Sequence, residues 1–170
     1  RATQGGDVAF LLPATYALAE LERSRGLLEV AEGACRAALD RCPPGSIHEL
    51  RSADIHTMLA DLALARNDLP SAKQGLERSK ELGEQFPLPH WRYRWLLASA
   101  LHASARGDHQ EAALRAGEAE RLYVRGPLPD ARPIADVRTR LVLRAGHRSE
   151  ASRLAAAVER REATLNDYLA

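Results

Sequence analysis

The stretch that decides the fold is LARNDLPSA, residues 64–72, in which Asn67 stands between two segments of helical pattern and is followed five positions later by Ala72. The same arrangement recurs as RSRGLLEVA at 23–31, SARGDHQEA at 104–112 and LRAGHRSEA at 143–151, with Gly26, Gly107 and Gly146 in the place of Asn67. Ala31, Ala112 and Ala151 take the place of Ala72. Gly and Asn enter the left-handed region of φ at least cost, which is what the residue closing one helix needs before the next helix begins. The turn residues at 26, 67, 107 and 146 are spaced by 41, 40 and 39 positions, so the chain is an internal repeat of helix, tight turn, helix.

Counting back from each turn gives an apolar row at helical spacing. It reads Ala14, Ala17, Leu18 and Leu21 in the first unit and Ile55, Met58, Leu59 and Leu62 in the second. The third unit has Trp95, Ala98, Ser99 and His102, and the fourth Ile134, Val137, Arg138 and Leu141. This i, i+3, i+4, i+7 pattern predicts the core face of each first helix. Mostly small residues stand seven before each turn (Ala19, Ala60, Ala100, Thr139) and twelve after it (Ala38, Ser79, Ala119, Val158), where they let neighbouring helices approach closely.

Proline-rich breakers at 42–46, 86–89 and 125–133 separate the units, since proline cannot continue a helix. The first helices are predicted near 8–25, 48–66, 90–106 and 132–145, and their partners near 28–41, 69–85, 109–124 and 148–160. Residues 161–170 follow as a terminal helix or tail. Pro13 is expected to mark the first turn of the first helix, leaving residues 1–12 partly as a lead-in. Ser71 and Ser149 are expected to cap or begin second helices. The fold class is therefore all-α, an α-solenoid of about four antiparallel helix pairs with a period of about 40 residues. The whole of 1–170 is one helical-repeat domain, read as a fragment of a longer chain.

Composition excludes several function classes. The chain has 170 residues, and its 24 basic and 23 acidic side chains leave a net charge of +1, with no drive toward nucleic acid or an anionic membrane. Cys35 and Cys42 form no CxxC pair, and the histidines at 48, 56, 90, 102, 109 and 147 show no zinc-binding spacing. Reduced thiols and the absence of a spanning apolar run predict a cytoplasmic protein with no membrane association. No GxxxxGK[ST] phosphate loop and no GxSxG elbow occurs, and acidic pairs such as Glu118 with Glu120 lie on exposed helix faces. The chain is expected to be no enzyme and to hold neither cofactor nor metal.

First-helix positions that alternate with the core row are expected to line the concave face of the stack: Tyr16, Glu20, Arg23, Asp54, Thr57, Asp61, Arg94, Leu97 and Leu101. A mixed groove of this kind takes a small polar ligand or a peptide, and Asp61 and Arg94 are its strongest candidates. The segment HWRYRW at 90–95 puts Trp91 and Trp95 on one helical face with Tyr93 away from them. Trp95 falls in the core row, and Trp91 is the candidate aromatic contact for a partner.

The turns NDLPSA, GDHQEA and GHRSEA are similar to the inter-helix turn of tetratricopeptide repeats, although the period exceeds the usual length of about 34 residues. The longer runs LADLALARNDLPSAKQGLERSKELGEQ, WLLASALHASARGDHQEAALRAGEAERL and RTRLVLRAGHRSEASRLA resemble the helical-repeat region of MalT-like, LuxR-family ATP-dependent transcriptional regulators. That resemblance covers residues 14 to 160. It implies a non-catalytic sensor or scaffold segment that binds an effector or regulatory protein, while separate nucleotide-binding and helix-turn-helix modules hold ATP and DNA. A stand-alone tetratricopeptide-like interaction module is the alternative. Partners on either reading are a protein, a peptide or a small-molecule effector, with no direct nucleic-acid contact by this segment, and a homodimer through the solenoid ends is a further expectation.

Overall fold

A computed structural model describes residues 4–123 and 133–169. Among them the chain forms nine helices and no strand: α1 (Gln4–Ser24), α2 (Leu28–Leu39), α3 (Ile47–Leu50), α4 (Ala53–Ala65), α5 (Leu69–Gln85), α6 (Trp91–Ala105), α7 (His109–Arg121), α8 (Ile134–Arg144) and α9 (Arg148–Leu169). They pair as α1/α2, α4/α5, α6/α7 and α8/α9, four antiparallel units of an all-α, tetratricopeptide-like solenoid, with α3 as a single turn ahead of α4. Most of the third breaker and the predicted start of the fourth unit at 132 lie outside the described residues.

The turns are built alike, as their sequence requires. Gly26, Asn67, Gly107 and Gly146 have φ of 79°, 59°, 87° and 86°. Each is followed by a backbone N–H that reaches back over the turn: Leu27 to Glu22 O, Asp68 to Ala63 O, Asp108 to Ala103 O and His147 to Val142 O, at 2.9 to 3.1 Å. With the shorter bond from each turn residue itself, this is the Schellman closure of a helix, which satisfies carbonyls that the helix end leaves without a partner. Asp68 and Asp108 then cap the next helix, accepting from the N–H of Ser71 and Glu111 at 3.1 Å. The caps are therefore aspartates, and Ser71 and Ser149 lie inside the first turns of α5 and α9. Ala31, Ala72, Ala112 and Ala151 are all buried where the second helices cross their partners.

Three sequence expectations are corrected. Pro13 does not begin a helix: α1 runs unbroken from Gln4, with Pro13 on the exposed side. Burial of Val8 and Leu12 on the opposite side holds the preceding turns in helix despite the hydrogen bond that proline removes. The predicted helix at 48–66 is broken at Arg51 and Ser52, where the Ser52 hydroxyl donates to Glu49 O at 2.6 Å and competes for a carbonyl the helix would use. The core row of the first unit is also misplaced. Ala14, Ala17, Leu18 and Leu21 are exposed, and α1 instead buries Val8, Leu12, Thr15 and Ala19.

In the later units the row is interior except at Leu59, Trp95, His102 and Arg138, which are half-buried. Ile55, Met58 and Leu62 pack with Val8, Leu12, Ala31 and Cys35, so α4 seats itself on the first unit. Ala98 and Trp95 meet Ala60 and Leu76 of the second unit. Ile134, Val137 and Leu141 meet Leu96, Ala112 and Ala116 of the third. Arg138, at the remaining position of that row, is half-buried and ion-paired with Glu120 and Glu150. No helix among the described residues is long and apolar enough to cross a membrane.

Candidate functional site

The polar candidates sit on three successive first helices, and stacking these helices in register brings three of them into contact. Arg94, from α6, donates to Asp54 Oδ2 of α4 at 2.7 Å. Its guanidinium carbon lies 3.9 Å from the ring centre of Tyr16 on α1, a cation–π contact. One arginine thus ties unit 3 to unit 2 through a carboxylate and to unit 1 through a phenol ring. On α1, Arg23 pairs with Glu20 at 2.5 Å, one turn from Tyr16.

Burial governs the electrostatics of this cluster. It pushes the Tyr16 hydroxyl well above its ordinary pKa, against the pull of Arg94 and together with the charges of Glu20, Asp61 and Asp54, so the phenol stays protonated. Burial also raises the Asp54 carboxyl, and Arg94 and His90 only partly reverse this. For Arg94, burial works against the charge, but Asp54, Tyr16 and Tyr93 outweigh it and hold the guanidinium more firmly protonated than usual. The second oxygen of Asp54, Oδ1, is buried with no hydrogen-bond partner among the described residues. Asp61 is only 6% exposed and contributes to the field at Tyr16. Glu20, Asp54 and Asp61 against Arg23 and Arg94 give three negative to two positive groups, so the strip carries one net negative charge when all are ionised.

Other candidates lie elsewhere. Thr57 is fully buried and turned to the interior, where it belongs to a relay of hydroxyls. The Trp91 Nε1 donates to Ser79 Oγ at 3.0 Å, Ser79 and Thr57 share a hydrogen bond of 2.7 Å, and Thr57 donates to Ala53 O at 3.2 Å. Trp91 is accordingly no surface contact: it is 2% exposed and packs on Ala53 and Leu82, while Arg92 lies beside both tryptophan rings. Leu97 is buried against unit 4, and Leu101 packs partly against the same core. Among the described residues no three His, Cys, Asp or Glu side chains gather as a metal site.

Sequence reasoning missed two neighbours of the cluster, His90 and Tyr93. His90 acts on Asp54, and the Tyr93 ring lies 5.8 Å from the Arg94 guanidinium, stacked edge-on against Tyr123 at 5.2 Å. Their signal was present in HWRYRW, since His90 and Tyr93 stand four and one positions ahead of Arg94 at the helix start. The glycines that set the packing were also missed. A Cβ on Gly83 would lie 2.0 Å from Trp91 Cε2, and one on Gly75 would lie 3.1 Å from both Ala60 Cβ and His56 O.

No curated protein matches this chain. A family model described as the MalT-like TPR region matches residues 1–170, and with its four Schellman-closed helix pairs the chain belongs to that family of helical-repeat regions.

Proposed function

We propose that this chain is a non-catalytic regulatory module of a transcriptional regulator, which binds an effector or regulatory protein on the face that its first helices share. The observation that carries this reading is the Tyr16–Asp54–Arg94 contact, in which polar groups from three units meet on one face. A ligand there engages all three units at once, so its binding energy acts on how the units are arranged. That is the requirement for a signal that must pass along a stack to another module. The excess of carboxylates on this face favours a ligand or peptide that presents a cation or hydrogen-bond donors.

Calorimetry and thermal-shift measurements with sugars, small metabolites and basic peptides test the site. Binding at 100 times Kd stabilises by about 2.7 kcal/mol, a shift easily read. Arg94→Ala and Asp61→Ala are expected to abolish it. Unchanged binding in both variants places recognition elsewhere. The regulator reading also requires a phosphate loop upstream and a helix-turn-helix downstream in the complete reading frame, and their absence would leave only an interaction module.

A further inference from the structure

In a helical stack each unit ordinarily touches only its neighbours, so the bend of the stack is a sum of independent joints. Arg94 departs from that rule. α4 packs against both α1 and α6 and stands between them, yet the guanidinium carbon of Arg94 on α6 lies 3.9 Å from the ring centre of Tyr16 on α1. The other neighbours of this side chain leave it one setting. Its Nη1 donates to Asp54 Oδ2 of α4 at 2.7 Å, and the Tyr93 ring of its own helix lies 5.8 Å from the guanidinium. Tyr93 is itself buried in the core that seats Ile134 and Val137 of unit 4, edge-on to Tyr123 at 5.2 Å. A bridge from unit 3 to unit 1 closes only when the joints on both sides of unit 2 bring the first helices together. It therefore couples two joints that would otherwise bend separately.

The chain supplies its own comparison one unit further on. Arg94 stands thirteen residues ahead of its turn and Tyr16 ten ahead of its own; the same positions in units 4 and 2 hold Pro133 and Thr57. Pro133 offers neither charge nor donor, and Thr57 is fully buried and bonded to Ser79. No bridge of this chemistry can form between units 4 and 2.

We propose that Arg94 is a clasp, closed by its cation–π contact with Tyr16, which sets the bend of the stack across units 1 to 3 and leaves units 2 to 4 to be set by their joints alone. Units 1 to 3 then move as one block, and a displacement of α1 is felt in α6 without being relayed by α4. The clasp needs no ligand and stands whether or not an effector binds this face. What it does need is a ring face under the guanidinium, which phenylalanine keeps and leucine does not.

Distances between pairs of spin labels in the full-length chain test it. Cys42 is changed to serine, and Cys35 takes no label because it is fully buried, with its thiol pushed up to about 12 by that burial. Val30→Cys on α2 and Leu114→Cys on α7, 55% and 75% exposed, report units 1 and 3. Gln74→Cys on α5 and Arg153→Cys on α9, also exposed, report units 2 and 4. Tyr16→Leu is expected to shift the mean distance of the first pair by about 3 Å or more, a third of one helix-to-helix spacing, and to leave the second pair where it was. Tyr16→Phe is expected to hold the native distance. Arg94→Met is expected to shift the first pair as well, and adding Tyr16→Leu to it should move that pair no further. Should Arg94→Met fail to fold, the Tyr16 variants, at a half-buried position, carry the test alone. An unmoved first pair in Tyr16→Leu, a phenylalanine variant that shifts as far as the leucine, equal shifts in both pairs, or a further shift in the double variant would each overturn the proposal.

Discussion

The joint between units 1 and 2 and the joint between units 2 and 3 use one register and fill it with different chemistry. The first is aliphatic at its centre: Ile55, Met58 and Leu62 lie fully buried among Val8, Leu12, Ala31 and Cys35, with the Arg66–Glu32 ion pair at its edge. The second is aromatic and hydrogen-bonded. Trp91 reaches Ser79, Trp95 Nε1 donates to Leu76 O at 2.9 Å, and the Trp91 ring lies flush on Gly83. Apolar contact resists separation but tolerates sliding, whereas indole N–H bonds fix both distance and angle. The aliphatic joint therefore supplies adhesion, and the aromatic joint fixes how unit 3 is set on unit 2, and with it where Arg94 points.

The sharpest break falls on the aromatic joint. Gly83→Ala puts a methyl 2.0 Å from a ring carbon of a buried tryptophan, and neither the ring nor α5 can yield cheaply. We expect a loss of about 3 kcal/mol or more, measured by chemical denaturation. Gly83→Ala combined with Trp91→Leu should cost clearly less than the sum of the two, since the second change removes the overlap. Additive losses would show that Gly83 matters for another reason.

At the aliphatic joint, Met58→Ala removes a side chain with no solvent exposure and leaves a cavity between α4 and the first unit. The expected cost is about 2 to 3 kcal/mol, with Leu or Ile at the same position recovering most of it. A double-mutant cycle with Trp91→Phe should show little coupling if the joints are independent.

Which of these features a reader of the sequence could find follows from how local their causes are. The turns were legible because a positive φ selects Gly or Asn wherever it occurs, and all four predicted residues adopt it. Helix pairing followed from the same count. The first-unit row was misread because periodicity reports that a face is apolar and not what covers it. Tyr16, Asp54 and Arg94 were named together because all lie on the first-helix face that alternates with the core row, Asp54 and Arg94 at the same distance ahead of their turns and Tyr16 one helical turn nearer to its own. Thr57 and Trp91 were assigned to the surface because their determining partners, Ser79 and Gly83, lie on α5, and no pattern within their own helices points there.

Acidification tests α4, the helix common to both joints. Burial is the main reason that the pKa of His56 falls from 6.5 to about 4, Arg78 adds to this, and Glu49 opposes it. Its folded pKa lies below the unfolded value, so the unfolded chain takes up the proton first. Stability from this group is full above about pH 6.5, declines as pH falls toward about 4, and changes no further below that. Allowing for partial exposure, the loss is on the order of 2 kcal/mol across that window. His56→Gln should flatten this portion of the stability profile. His102, also lowered, and Asp54, raised, remain in both proteins and cancel in the difference. An unchanged profile in the variant would remove His56 as the source.

The smallest expected effect concerns a cap that the first unit lacks. Leu27, Asp68 and Asp108 precede α2, α5 and α7 with nearly the same backbone, φ of −84°, −88° and −83° and ψ of 59°, 82° and 74°. The aspartates accept from the third helical N–H, while Leu27 makes no side-chain cap and is 47% exposed. Leu27→Asp should therefore place a carboxylate within reach of the Val30 N–H and gain about 0.5 to 1 kcal/mol, aided by the positive end of the helix dipole. Asp108→Leu should lose a similar amount. Because the gain depends on an ionised carboxylate, it should fade as pH falls through the ordinary aspartate range. A Leu27→Asn variant should keep most of it there, which separates the hydrogen bond from the charge.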